Sequence, residues 1–511
     1  MKCVGRSISV ICLCGVVLFA VQCGSDSSTA GPVSTPGGCD SGTTSAQVLT
    51  SAPANVPLVK LSADTFTNAT SQHATEVEPD SYAFGSTIVA AFQVGRISGG
   101  GAADIGYAIS NDGGATWQSG LLPGLTTFEC SGHNSAVSDT AVVYDAAHST
   151  WLIASLPISS TNVQVVVSRS TDGGASWSNP VNIANGPDLD KDWITCDNSA
   201  TSPFYGHCYA EWDDNGNGNL IFISTSSDGG VTWSTPVSTA GNANGLGAEP
   251  LVQPNGTVIV PYLANAPFIE SFSSSDGGAS WSAPVVVSQV NDHLVAGGLR
   301  SDALPSAAMD AAGNIYVVWQ DCSFRANCSS NDLIMSTSAD GVNWTAPARI
   351  PIDPLASTVD HFIPGLGVDP ATSGGTAHLG LTYYYYPQAN CTSTTCALYV
   401  GFVSSLDGGA AWSSPTPLAG PMSLSWLPST FSGQMVADYI ATSFAGGKAY
   451  GVFAVAKAKS GSTFDEAIYT TQAGFDVMAA QGHNSSAGER RVASVIAGQS
   501  RSTSRLVRKI R

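Results

Sequence analysis

Charge is scarce in this chain, with Lys, Arg, Asp and Glu making up 11% of its 511 residues, and the shortage is mostly of one sign. Between residues 24 and 489 there are 38 acidic residues against 10 basic ones, a balance of −28. A body so poor in cations repels nucleic acid and anionic lipid surfaces, which excludes partners held through phosphates. There is no long amphipathic helical window, so a helical bundle is excluded. No CxxC and no histidine at metal-site spacing accompanies the cysteines, which argues against zinc. The apolar run at residues 8–21 is too short and too early to span a bilayer.

What is abundant is glycine, with 54 residues, together with alternating Val, Ile, Ala, Ser and Thr, the composition of many short strands joined by turns. One phrase recurs: SNDGGATW from Ser110, STDGGASW from Ser170, SSDGGVTW from Ser226, SSDGGASW from Ser274, a shortened SADGVNW from Ser338 and SLDGGAAW from Ser405. Its Asp residues stand 60, 56, 48, 64 and 67 residues apart, a period that marks one structural unit repeated. Asp bonds backbone N–H groups just ahead of it, Gly-Gly supplies positive φ, and Trp opens the next strand. Each copy is a fastener between strands, with its Asp satisfied by its own turn.

A fainter repeat precedes each phrase: Glu78-Pro79, Asp139-Thr140, Asp192-Trp193, Glu249-Pro250, Leu304-Pro305, Ile363-Pro364, and a seventh at Asp438-Tyr439 that leads to three strands and no Asp phrase. The missing fourth strand can come from residues 55–62, NVPLVKLS, which closes the sheet edge. The reading is an all-β chain: a seven-bladed β-propeller of four-stranded antiparallel blades over residues 55–475, closed by an N-terminal strand, with six blades as the alternative.

Lys2 and Arg6 before residues 8–21 read as an export signal covering residues 1–23. Cys23, followed by Gly24, Ser25 and Asp26, resembles a bacterial lipoprotein signal with Cys23 lipidated; plain secretion is the alternative, since Gln22 departs from the usual small residue. Residues 24–54 read as a flexible tether. Eight cysteines remain after residue 23, an even number in an exported chain, and pair as Cys196–Cys208, Cys322–Cys328 and Cys391–Cys396, with Cys39–Cys130 as a long-range fourth. Residues 476–511 form a tail that is basic from residue 490 onward and reads as disordered.

The S-x-D-G-G-x-[ST]-W phrase resembles the Asp box, or BNR repeat, of the sialidase-like propeller superfamily. DKDWITCDN, NIYVVWQD, HFIPGLGVDP and MVADYIATSF look like exported bacterial propellers of that group. The resemblance implies a ligand face opposite the Asp boxes. In sialidases three arginines hold a carboxylate, a Tyr assisted by a Glu is the nucleophile, and an Asp is the acid/base; their Phe-Arg-Ile-Pro type motif does not occur here.

On that blade count Arg96, Arg300 and Arg325 fall in ligand-face connections and are the candidate carboxylate grip, or else scattered rim charges, whereas Arg169 and Arg349 lie near the boxes. Glu78, Asp139, Asp192, Glu249 and Asp438 begin inner strands, where crowding raises carboxylate pKa as a general acid requires. Asp139, Asp192 and Glu249 are the candidate catalytic set; the alternative is that each caps its own blade, with Lys191 as internal neutraliser. Asp213, Asn215, Asn217 and Gly218 match the opening of a calcium loop, although Ser224 stands where the bidentate acid belongs, which excludes an EF-hand. The default there is a polar hairpin loop; no cofactor is required and Ca2+ is the one allowed. Tyr205 and Tyr385, with Phe204, Trp426 and the run at residues 383–386, are candidates for stacking on sugars, although strand alternation puts at least half of that run in the core. The expected function is an exported monomer, on the bacterial outer membrane or cell surface as a lipoprotein or secreted, that binds an extracellular glycan or polymer. Nucleic acid is excluded, and a membrane is met only through the lipid anchor. A glycoside hydrolase of the exo-α-sialidase type and a cell-surface scaffold for protein partners are the alternatives.

Overall fold

The computed structural model describes residues 44–45, 47–129 and 131–478. Cys23, Cys39, Cys130, the tether up to residue 43 and the tail from residue 479 lie outside the described residues. Within them the chain is all-β, and helix is confined to five single 3-10 turns.

The strands fall into successive antiparallel groups. The first runs through Glu76–Phe84, Thr87–Arg96, Ala102–Ser110 and Gln118–Leu121, the second through Ala136–Asp145, Thr150–Ile158, Val163–Ser170 and Val181–Gly186, and the third through Leu189–Cys196, Cys208–Asp214, Leu220–Ser226 and Val237–Ser238. The fourth has a split first strand, Gly245–Leu246 and Leu251–Val252, before Val258–Ala264, Phe268–Ser274 and Val285–Gln289. The fifth comprises Ser306–Met309, Ile315–Asp321, Asp332–Ser338 and Ala348–Arg349, the sixth Asp360–Val368, Leu379–Tyr386, Ala397–Ser405 and Thr416–Ser423. The last has Ala441–Ala445, Lys448–Ser460 and Thr463–Thr471, and its fourth strand is Leu58–Lys60, paired Leu58↔Thr471. The N-terminal strand thus completes the C-terminal sheet, as residues 55–62 suggested. The first strand of each group packs on the first strand of the next, and Ala441–Ala445 packs back on Glu76–Phe84, so the first strands form a closed ring.

Antiparallel order fixes two faces. First strands begin, and second strands end, on what we term the connection face; the Asp turns lie on the opposite, turn face. In the first of these turns Asp112 Oδ1 accepts from Ser110 Oγ and Thr116 N, both at 2.8 Å, Oδ2 accepts from Thr116 Oγ1 at 2.6 Å, and Trp117 Nε1 donates to Gly114 O at 3.1 Å. The same serine–aspartate bond recurs at Asp172, Asp228, Asp276, Asp340 and Asp407.

Each turn also grips the group before it. A Cβ on Gly114 would meet Tyr450 of the last group, one on Gly174 would meet Ile109 of the first, and Gly230, Gly278, Gly341 and Gly409 press likewise on Leu152, Tyr209, Ile259 and Met335. Tyr450 Oη donates to Gly113 O at 2.6 Å, which fastens the last group to the first. The last group has no Asp turn; Phe475 instead stacks on Phe402 of the sixth at 4.8 Å. The disulfides Cys196–Cys208, Cys322–Cys328 and Cys391–Cys396 are formed, the first across a hairpin and the others within connections.

Two glycine substitutions separate backbone strain from collision. Gly113 (φ 69°) has open space around a Cβ, so Gly113→Ala should cost about 1 kcal/mol from its left-handed backbone alone. Gly114→Ala meets the Tyr450 ring as well and should cost roughly 2–4 kcal/mol by urea unfolding; equal losses would show that the glycine contact does not join the groups.

Candidate functional site

Four first strands carry the same irregularity. Register shifts between Val77 and Asp80, Ser138 and Ala141, Asp190 and Trp193, and Phe362 and Pro364 mark bulges. Their extra residues are Glu78 (φ 53°), Asp139 (45°), Lys191 (40°) and Ile363 (50°), all left-handed without being glycine. Such a backbone costs about 1–3 kcal/mol and persists where its surroundings enforce it. The sequence repeat therefore aligns Lys191, not Asp192, with Glu78 and Asp139.

Around these bulges lies a buried charged group drawn from several groups of strands. Arg300, from the segment before the fifth group, makes a bidentate pair with Asp438, Nε to Oδ1 at 2.8 Å and Nη2 to Oδ2. Gln93 donates to Glu78. Arg96 donates to the carbonyls of Ile97 and Gly101 and to Met435 Sδ. Lys191 Nζ lies 3.7 Å from the ring centre of Tyr439 and 4.2 Å from that of Trp193. Burial, followed by the charges of Asp438 and Asp139, holds Glu78 well above the usual carboxylate range. Asp139 is raised by burial, with Lys191 opposing. Burial works against the charge of Arg300, but Asp438 and Glu78 outweigh it and keep the guanidinium above its ordinary value. Arg96, buried and facing Arg300, is lowered to about 10.

Asp192 is fully buried, and burial then Asp139 push it well up, with Lys191 and its own backbone N–H opposing. Lys191 is the shared counter-charge of Asp139, Asp192 and Glu211. Glu78, Asp139, Asp438, Arg96 and Arg300 are therefore brought together, yet each is at least 96% buried.

The half-buried acid beside them is Asp302, raised to about 6 by burial and then by Asp438. Near it Asp292 Oδ1 accepts from Gln320 Nε2 at 2.9 Å, and His293 Nδ1 lies 3.4 Å from Asp360 Oδ2. Asp292, His293, Asp302 and Asp360 escaped the sequence reading because each stands two or more residues away from the position that carries the acid in the other groups; an acid within four residues of a first-strand start finds Asp302 and Asp360, whereas Asp292 and His293 lie in the connection after the fourth group and carry no such signal. Beside Asp360, His361 packs on Tyr383 and Tyr385, and Tyr385 stacks on Tyr399 at 5.2 Å. Both tyrosines of that pair are partly exposed, on the connection face.

Other expected residues lie elsewhere. Arg325 is on the connection face but is spent on Asp332 (2.5 Å), Asp353 (2.6 Å) and the carbonyls of Pro354, Leu355 and Ser357, and Arg349 shares both acids. The three arginines do not converge. Tyr205 lies in the loop between the first two strands of the third group, on the turn face; its neighbour Phe204 packs against Gly277 of an Asp turn, so Tyr205 belongs to the opposite side from Tyr385. Glu249 interrupts the split first strand and accepts from Ala307 N of the fifth group at 2.7 Å, tying two groups together. Asp213 is buried and accepts from Asn219 Nδ2 at 2.8 Å, while Asn217 is exposed on a 3-10 turn with Asn215.

No protein-family model and no curated protein matches the chain. Solved structures similar to it include a Hadza microbial sialidase, Hz136 (16% identity, 78% of this chain and 66% of that one, TM-score 0.40). Others are an ulvan lyase from a new family of polysaccharide lyases (12%, 82% and 96%, 0.48) and an α-L-arabinanase of Penicillium chrysogenum (11%, 83% and 98%, 0.40). Similarity at this level assigns neither activity nor residues to this chain.

The buried acids set the pH dependence of stability. Glu76 and Asp80 are raised to about 7, Glu249 to about 8 and Asp302 to about 6, each mainly by burial, so the folded protein holds protons that the unfolded chain releases near pH 4. Stability should fall as pH rises from about 4 to about 8. Asp112, Asp172 and Asp340, lowered to about 2 by their turn hydrogen bonds, contribute stability that is lost below about 4. Thermal unfolding across pH should therefore peak on the acid side of neutrality; a melting temperature that climbs from pH 5 to 8 would contradict this. Arg300→Met should cost about 3–5 kcal/mol by stranding Asp438, and adding Asp438→Asn should recover part of it.

Proposed function

We propose that this chain is an exported, seven-bladed Asp-box propeller that binds an extracellular glycan or related polymer through its connection face, binding rather than hydrolysing it. The closed ring of first strands and the N-terminal closing strand support the seven-bladed reading. The observation that carries the function is the partly exposed Tyr385–Tyr399 stack with the exposed Asp292 and the partly exposed His293, which faces Asp360, on the same face, an aromatic platform with polar groups beside it. Sugars stack on such rings through their C–H faces while their hydroxyls bond to carboxylates and histidine. Sialidase-type hydrolysis needs a reachable arginine grip, and Arg96, Arg300 and Arg325 are each committed to internal partners.

A second reading, a glycoside hydrolase of the exo-α-sialidase type, draws support from Asp302, whose raised pKa suits a general acid. Lipidation at Cys23, a monomeric state and calcium at Asp213, Asn215 and Asn217 stand as separate proposals, the last tested by Ca2+ titration calorimetry.

A glycan array with the purified chain, with released sugar measured in parallel, tests the assignment. Retention without release, weakened about tenfold or more by Tyr385→Ala, is the expected result. Release of sugar that Asp302→Asn abolishes would replace binding by hydrolysis, and silence in both assays would leave the scaffold reading.

A further inference from the structure

The first strands enclose a second space on the axis. A cavity of about 390 Å³ is lined by residues that follow two of the bulges, Asp80 and Ser81 after Glu78 and Trp193 after Lys191, together with Thr442 and Ser443 of the last group and Glu249 of the fourth. It therefore lies beyond the Lys191–Trp193–Tyr439 stack, toward the turn face, and Ala311 and Pro370 on its rim are exposed. Its size falls within the roughly 300–1,000 Å³ of small-molecule sites.

The wall is polar in a particular way. Asp80 and Glu249 are 6% and 8% exposed and face the same space from separate groups, each accepting the N–H of the next first strand, Val142 at 2.8 Å and Ala307 at 2.7 Å. Ser81 and Ser443 bond each other at 2.6 Å, and Thr442 Oγ1 donates to Gly365 O at 2.7 Å. Asp310, also on the wall, accepts from Asn314 through both oxygens and from Gly374 N. Among the described residues no Lys or Arg lines the cavity, which disfavours anions. Burial raises Asp80 to about 7 and Glu249 to about 8, so near neutral pH these two carboxyls are partly protonated and can donate hydrogen bonds, while the charge of Asp310, which its hydrogen bonds hold low against burial, is engaged by Asn314 and Gly374 N, and a bare cation gains little. What remains is a set of hydroxyl and carboxyl groups with one indole, alternating with apolar side chains.

We propose that this chamber is a binding site for one uncharged polyhydroxylated molecule of monosaccharide size, separate from the connection face. The test uses the purified chain labelled with 5-fluorotryptophan, the Trp193 resonance being assigned with Trp193→Phe. Titrations with D-glucose, D-galactose, L-rhamnose, N-acetylglucosamine and, separately, Ca2+ follow that signal by fluorine NMR. At least one neutral sugar should move it saturably in the millimolar range, and Tyr385→Ala should leave the curve unchanged. Ser443→Phe, which fills the chamber, should abolish it. If that variant does not fold, the Ser81→Ala/Ser443→Ala pair should weaken binding about tenfold, from the loss of two hydrogen-bonding hydroxyls. No movement up to about 100 mM sugar, movement by Ca2+ alone, loss of the response in Tyr385→Ala, or an unchanged curve in the serine variants would each overturn the proposal.

Discussion

The second glycine of an Asp turn has no side chain, and the space a Cβ would need is filled by a residue of the preceding group of strands. At Gly114 that residue is Tyr450, at Gly174 it is Ile109, and the pattern continues through Gly409 and Met335. The conspicuous Asp, Gly and Trp therefore serve two purposes. Asp and Trp fix the turn, and the glycine lets the turn lie flush on its neighbour. Because the interior is close-packed, a single added carbon forces the groups apart. The last group lacks the phrase and seals itself with Phe475 on Phe402, which shows that the function needed at that place is a wedge and not a particular motif.

Flush packing at the periphery forces crowding at the axis. First strands brought side by side bury whatever their bulges carry, and here they carry Glu78, Asp139 and Lys191. Carboxylates gathered out of water need counter-charge, and the chain supplies it from far away in sequence: Arg300 meets Asp438 across 138 residues. Burial of this depth removes the group from any reaction with a solvent-borne polymer, since a proton donor has to reach its substrate. Titration and access coincide at the half-buried Asp302, two residues beyond Arg300, and at Asp292, an exposed residue whose carboxyl is raised to about 7 by its own burial.

The strand groups were legible because period and turn chemistry are local, and the closing strand because a three-stranded end leaves an edge to fill. The three disulfides followed from short spacing. Glu78, Asp139 and Asp438 were legible as a convergent set since each starts a strand, and Arg96 and Arg300 joined them. Arg325 and Tyr205 could not be placed this way. Whether an arginine is free depends on its partners, and Asp353 is no different in sequence from any other acid; Tyr205 sits in a long loop between first and second strands, which a face assignment based on the turns alone does not register. Glu249 carries the motif of a strand start but belongs to a split strand, so its carboxylate serves the neighbouring group.

The charged group also divides the axis. On the connection side it meets Asp302 and the acids beside the tyrosine stack; on the other side Trp193 and Tyr439, capped by Lys191, close it off from the chamber. A cation held over two ring faces is costly to displace, because its charge would be left in a low-dielectric interior with Asp192 and Glu211 nearby. Under the binding proposal, a ligand arriving on the connection face would meet a wall of ion pairs and be held by stacking and by the acids at the rim. A molecule in the proposed chamber site would enter from the turn face and touch neither. The two ends of one axis thus carry different chemistry, acid and aromatic at one and hydroxyl-lined at the other, because the residues that close the ring stand between them.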